Sequence, residues 1–573
     1  MNAIPRNRVG WLAALRLAAM LGVLLLAGGV ESARAEPHAR DPRAAIASAH
    51  PLATAAGYEI LGRGGNAFDA AVAVAAALGV VEPYSSGLGG GGFWLLHRAR
   101  DQFQVMVDGR ETAPGSARPE RYLDAEGKPV RGALTQGGNS VAVPGTPAAL
   151  AHVARGYGRL TLGENLAPAI RLARDGFEVD PRYARIAHMR ASTLQADAGA
   201  ARIFLHNGRA PAPRYVLRQP ELAATLELLA ARGAEGFYGG RVARALIEAV
   251  NRAGGLWQPS DLAAYRVIER RPVRFRHRDA TIVTASLPSA GGIALAQALH
   301  MLERFEISDP QTLAGAHLVI EVLRRAFRDR ALYLGDSDFV TVPVPRLVSK
   351  AYAGERAAGI NRAAATRSEA LGDGEVAAGR GSTTHLSVID AEGNRVAATL
   401  TINWLFGSGI VAGDTGVLLN NEMDDFSLGP DVPNTYLLRG GAANAIAPGK
   451  RPLSSMTPTF IEDEKGVLIV GAPGGSRIVS QVVLTVLEYL RTPRVDLERL
   501  VGLPRFHHQW WPDRVEIEPE GFPAEWRAAL EAKGHRVETA GRKWGNLQAV
   551  FWSRATGLAV AASDPRGADV GWY

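Results

Sequence analysis

The segment Ser382–Asn403, STTHLSVIDAEGNRVAATLTIN, restricts the possible folds more than any other stretch of the chain. Two runs rich in β-branched residues flank a polar turn containing Gly393 and Asn394, the pattern of an antiparallel hairpin. In the second run, Val396, Ala398, Leu400 and Ile402 share one face, and Ala397, Thr399, Thr401 and Asn403 the other. With the turn drawn as residues 391–394, Thr383 falls opposite Thr401–Ile402. Thr383, Thr401 and Asn403 then share a neighbourhood. The preceding stretch, LGDGEVAAGRG, carries no regular pattern. A threonine opening a strand is ordinary, because its branched side chain suits a pleated surface. The abrupt change at the Ser382–Thr383 bond raises a second reading, that Thr383 is a nucleophile.

The rest of the chain supplies elements for this hairpin to join. Asn66 is a helix cap with Asp69 in the first turn, and the following residues are apolar nearly all round, so that helix is buried. Glu82-Pro83 ends it. The glycines from Gly87 to Gly92 lead into a strand, FWLLH. A second strand, FQVMVDG, runs into a loop holding Arg110. From about 145 to 350 the periodicity is mainly helical, and 353–382 reads as the least ordered part. Further strands lie in HRVETA, LQAVFWS and LAVAASDPR. Helices in one run and antiparallel strands in others predict antiparallel sheet covered by helices.

Composition narrows the function classes. The chain has 573 residues, 47% hydrophobic and 21% charged, which is globular. Its net charge of +7 comes from scattered arginines, with no basic run or aromatic stripe, so no nucleic-acid partner is expected. There is no cysteine, which removes disulfides, thiolate metal sites and a cysteine nucleophile. Arg6, Arg8 and Arg16 precede an apolar run, Leu17–Gly29, and an A-x-A pattern at Ala33 and Ala35. This is the layout of a signal peptide over 1–35, too short to span a bilayer, and predicts a secreted, periplasmic protein with no membrane anchor once cut. The glycine run follows a helix and opens a strand, the reverse of a dinucleotide loop. His507 and His508 are adjacent and lack companions at zinc spacing, so no metal is expected.

A threonine hydroxyl is a weak nucleophile. It is activated when its own residue is a chain N-terminus, because the α-amine then takes the proton. Cleavage of Ser382–Thr383 would create that terminus. Downstream come Asn403, the run GIVAGDTGVLLNNEMDDF with Glu422 and Asp425, PLSSM with Ser454 and Ser455, GAPGGSRI with Gly474 and Gly475, and PRFHHQW. With DGRETAP and TTHLSVID, these resemble, in order, the motifs of the γ-glutamyltranspeptidase (glutathione hydrolase) family of N-terminal nucleophile hydrolases, from about Ala44 to the C-terminus.

The resemblance implies an α+β fold, a four-layer αββα sandwich of two stacked, mainly antiparallel sheets between helices. It implies self-cleavage into a large subunit, 36–382, and a small subunit, 383–573, forming one intertwined heterodimeric domain without cofactors. Thr383 would form a γ-glutamyl acyl-enzyme, passed to water or to an amino acid or dipeptide; glutathione is the expected donor. Thr401 would position the nucleophile, and Gly474 and Gly475 would form the oxyanion hole. Arg110, Ser454 and Ser455 would hold the substrate carboxylate, and Glu422 and Asp425 its ammonium. Asn403 would be an active-site amide and Tyr436 part of a lid. Trp404-Leu405 depart from the small hydroxyl residues of many bacterial relatives. A cephalosporin acylase or a poly-γ-glutamate-processing relative is the nearest alternative; a glutaryl group, lacking an ammonium, would leave Glu422 without its partner.

Overall fold

The computed structural model describes residues 41–567 apart from 131, 308, 373–381, 430, 431, 433, 435 and 436. The expected signal peptide, most of the pre-cleavage stretch and Tyr436 lie outside the described residues. Among the described residues, no helix is long and apolar enough to cross a membrane.

Two six-stranded sheets form the framework. In chain order their strands are β1 (Ala45–Ser48), β2 (Gly91–Arg98), β3 (Phe103–Gly109), β4 (Ile268–Arg270), β5 (Val273–His277), β6 (Ala280–Thr284), β7 (Thr384–Ile389), β8 (Arg395–Thr401), β9 (Thr459–Glu462), β10 (Gly466–Gly471), β11 (Gln548–Ser553) and β12 (Ala559–Ser563). The first sheet runs β1-β7-β8-β2-β3-β4 and the second β12-β11-β10-β9-β6-β5, antiparallel throughout.

Alternation along the strands builds the layers. Leu95, Ile389 and Ala397 pack against Val283, Phe460, Ile469 and Val550 between the sheets. The opposite face of the first sheet, with Trp94, Leu96, Val388, Val396 and Leu400, packs on helix α1 (Ala67–Val81). The outer face of the second, with Ile282, Ile461, Leu468 and Val470, is covered by α2 (Gly291–Leu302), α3 (Leu313–Tyr333) and α4 (Arg477–Arg491). The order is helix, sheet, sheet, helix, as the resemblance implied.

His385 is buried between the sheets, bonded to Thr399 Oγ1 at 2.8 Å and Ser387 Oγ at 3.2 Å. Burial lowers its pKa to about 3, so it is neutral. A Cβ on Gly471 of the facing sheet would come within 2.3 Å of this ring, so only glycine fits there.

The hairpin forms as expected, with a longer turn. Ile389 pairs with Arg395 and Thr384 with Leu400, so the turn is Asp390–Asn394 and Thr383 comes opposite Thr401. Asp390 leaves the ladder because its carboxylate accepts the N–H groups of Glu392, Asn394 and Ala67. The last of these, at 2.8 Å, ties the hairpin tip to the start of α1, where Asn66 and Asp69 form a reciprocal capping box.

The expectation of weak order over 353–382 is corrected for its described part. A helix covers Lys350–Ala358 and a tight turn Ser368–Leu371. Thr366 N–H donates to Glu321 at 3.1 Å, and Ser368 Oγ to the Trp510 carbonyl at 2.7 Å. Local periodicity does not report partners so far away in sequence.

Candidate active site

Three chain segments meet at the start of β2. Thr401 at the end of β8 pairs with Gly91, and Gly92 pairs with Gly109, immediately before Arg110. The glycines make this approach possible. A Cβ on Gly90 would lie 2.0 Å from the Thr401 carbonyl oxygen, and one on Gly89 1.9 Å from that of Leu418. Close backbone packing is what the glycine run provides.

Thr383 lines a cavity of about 20 Å³ with Arg110, Thr401, Glu422, Asp425, Ser454, Ser455, Gly475 and Arg330. That is room for about one water. A larger groove, about 1140 Å³, lies among Ala148, His152, Tyr238 and Arg244 and contains none of the expected site residues that are described.

At the Thr383 end the contacts are hydroxyls and backbone. Thr401 Oγ1 donates to the Ser382 carbonyl oxygen at 2.7 Å and accepts from Asn403 N–H at 2.8 Å. Having spent its own proton on Ser382, it is the acceptor towards Thr383 Oγ1, 3.5 Å away. Ser382 is fixed further by its N–H to the Asn403 carbonyl, 2.6 Å, and by its hydroxyl to Ser85 Oγ, 3.1 Å. Asn403 has φ +69°, a left-handed conformation asparagine tolerates, and its amide donates to the Asn421 carbonyl at 2.8 Å. Thr384 donates instead to buried Glu82, at 3.0 Å. Of the two threonines, only Thr383 lines the cavity.

At the other end sits Arg110, 0% exposed. Its guanidinium donates to Glu422, to Asp425, to Glu111 at 3.4 Å and to the Pro452 carbonyl at 3.1 Å. Burial alone would lower its pKa, but Glu422, Glu111 and Asp425 hold it above the ordinary arginine range. Burial raises Glu111 to about 7 and pushes Glu422 well above the usual carboxylate range, against the pull of Arg110. Ser455 Oγ and Glu422 Oε2 are buried without a hydrogen-bond partner among the described residues.

Ser454 is held by backbone bonds to Pro288 and Ala290, and its hydroxyl accepts the Met456 N–H at 3.1 Å. Gly474 (φ +125°) and Gly475 (φ +59°) make the turn into α4; Gly475 lines the cavity and Gly474 does not. The next residue, Ser476, donates to Gln509, which also bonds His507; His507 bonds Ser480 on its other nitrogen. His508 reaches Asp513 instead, at 3.2 Å. Trp404 lies under the Arg190 guanidinium, 5.4 Å from its ring centre, and does not line the cavity.

Glu111, Arg330 and Ser85 were not anticipated from sequence. Glu111 had a signal, as the residue next to Arg110. Arg330 had a subtler one: it continues the apolar stripe Leu323, Phe327 of its helix, where a charge is out of place.

The Gamma-glutamyltranspeptidase family profile matches residues 53–572. The glutathione hydrolase proenzyme of Escherichia coli strain K12 is 39% identical over 532 residues, covering 91% of this chain and 90% of that protein. An acylase ACY 1 proenzyme of Pseudomonas sp. strain SE83 is 38% identical over 531 residues, covering 91% and 92%. The crystal structure of a cephalosporin acylase from Bacillus halodurans matches with a TM-score of 0.79 at 28% identity, over 92% of this chain and 96% of that one.

Proposed function

Because the chain belongs to the gamma-glutamyltranspeptidase family, we propose that it is a self-cleaving γ-glutamyl hydrolase and transferase whose nucleophile is Thr383. The observation that carries the substrate class is the sharing of one cavity by Thr383, Arg110 and the carboxylates Glu422 and Asp425. A γ-glutamyl group bears an α-carboxylate and an α-ammonium, and these side chains offer a counter-charge to each.

In the first reaction, Thr383 Oγ1 attacks the Ser382 carbonyl carbon. The Thr401 hydroxyl already donates to the oxygen on which charge develops. The hydroxyl proton passes to the Thr383 nitrogen as the Ser382–Thr383 C–N bond breaks, that nitrogen becomes the α-amine of Thr383, and water hydrolyses the ester to free the Ser382 carboxylate and the Thr383 hydroxyl. In the second, that amine takes the Thr383 hydroxyl proton as the oxygen attacks a γ-glutamyl amide. The Gly474 and Gly475 N–H groups receive the oxyanion, the leaving amine departs with a proton, and water or an acceptor amine releases the acyl group. The chain acts outside the cytoplasm after loss of residues 1–35, and glutathione is the expected donor.

Intact mass under denaturing conditions tests the first reaction; two chains, the smaller starting at Thr383, are expected. Turnover of γ-glutamyl and glutaryl 4-nitroanilides tests the second. Preference for the glutaryl donor would replace this reading with an acylase, and a single uncut, inactive chain would remove both.

A further inference from the structure

Recognition by Arg110 leaves one charged side chain of the cavity without a role. Arg330 is 3% exposed and lines the same space as Thr383 and Ser455. Its Nε has no partner, and no ion pair among the described residues includes it. A buried cation without a counter-ion is expensive, and folds keep such groups chiefly where something binds. Burial lowers its pKa to about 10, with Asp425 opposing, so it stays protonated at neutral pH.

Arg110 is the opposite case. Both its terminal nitrogens donate to carboxylates and its Nε to a backbone carbonyl. A substrate carboxylate reaching Arg110 must compete with Glu111, Glu422 and Asp425. At Arg330 it meets no competitor within ion-pair distance among the described residues, and the unpartnered Ser455 hydroxyl lines the same small cavity. The Asp425 carboxylate couples electrostatically to both guanidiniums, which places Arg330 at the charged end of the cavity.

We propose that Arg330 is a second carboxylate anchor, a specificity-determining residue that makes the site demand an α-carboxylate on its acyl donor. This rests on the γ-glutamyl reading. Arg110 is then partly committed to organising the carboxylates that take the ammonium, and Arg330 supplies the uncommitted positive charge.

The test uses full-length Arg330→Met and Arg330→Lys, with self-cleavage checked by mass, and three 4-nitroanilide donors. The γ-glutamyl donor carries both charges, the glutaryl donor only the carboxylate, and the 4-aminobutanoyl donor only the ammonium. Arg330→Met should raise KM for the γ-glutamyl donor about 30-fold with little change in kcat, the loss expected for a hydrogen-bonded charge contact. It should leave kcat/KM for the 4-aminobutanoyl donor within about threefold, and Arg330→Lys should recover part of the loss. Inhibition by glutarate should weaken in parallel, while inhibition by 4-aminobutanoate should not. Equal losses on all donors, or an unchanged KM for the γ-glutamyl donor, would overturn the proposal. If Arg330→Met is not processed, Arg330→Lys with the two inhibitors decides. Should the wild type prefer the glutaryl donor, the functional reading falls, and Arg330 is judged on that donor's carboxylate.

Discussion

The two ends of the cavity are built from opposite materials. Around Thr383 stand hydroxyls and backbone groups: Thr401, Ser382 and the Asn403 main chain. A short distance away, Arg110 is packed against three carboxylates, with Arg330 beside them. Among the described residues no base contacts the Thr383 hydroxyl, and on the proposed reading it acquires one, its own α-amine, when the backbone before it is cut. The charged end is complete before any bond is cut. Chemistry and recognition should therefore separate under mutation.

Thr383→Ala breaks the comparison most severely, since on the proposed reading both reactions use that hydroxyl. It should leave one uncut chain and lower γ-glutamyl turnover by at least about 1000-fold. Thr401→Val keeps the side-chain shape but removes the donor to the Ser382 carbonyl. Self-cleavage, followed by denaturing electrophoresis after synthesis, should slow by about 100-fold.

Arg110→Lys acts only at the charged end. Cleavage should be normal and KM for a γ-glutamyl anilide should rise about 30-fold or more, because a point charge cannot serve two carboxylates as a fork does. Changes in the charged end should also appear in stability. Glu111 is shifted from 4.5 to about 7 in the fold. Between those values the folded chain holds a proton that the unfolded chain has released. The resulting stabilisation is complete below about 4.5 and is lost as pH rises through about 7. In the uncut Thr383→Ala background, denaturation midpoints should fall from pH 5 to pH 8, and Glu111→Gln should flatten that fall. Ser455→Ala should have the smallest effect, a KM increase of about threefold with cleavage unchanged.

Sequence alone made the Thr383 end legible because it lies on one hairpin. Period-two alternation put Thr383 near Thr401, and only the length of the turn was misjudged, since Asp390 caps a helix more than 300 positions away. At the charged end, Arg110, Glu422, Asp425, Ser454 and Ser455 were identified through motif resemblance; no periodicity links segments so far apart. The structure brings these residues to one cavity, with Gly475 in the lining and Asn403 behind Ser382. Arg330 escaped both routes, being one arginine among several on its helix.

The position of β7 has a consequence for durability. It lies between β1 and β8 in the first sheet, while β2, on the far side of β8, belongs to the segment before Ser382. Cutting at Ser382 would thus yield two polypeptides threaded through one hydrogen-bonded sheet. Neither piece can leave without dismantling the sheet. Once denatured and diluted, they must find each other as separate molecules, so recovery should depend on concentration for the cut protein and not for the uncut one.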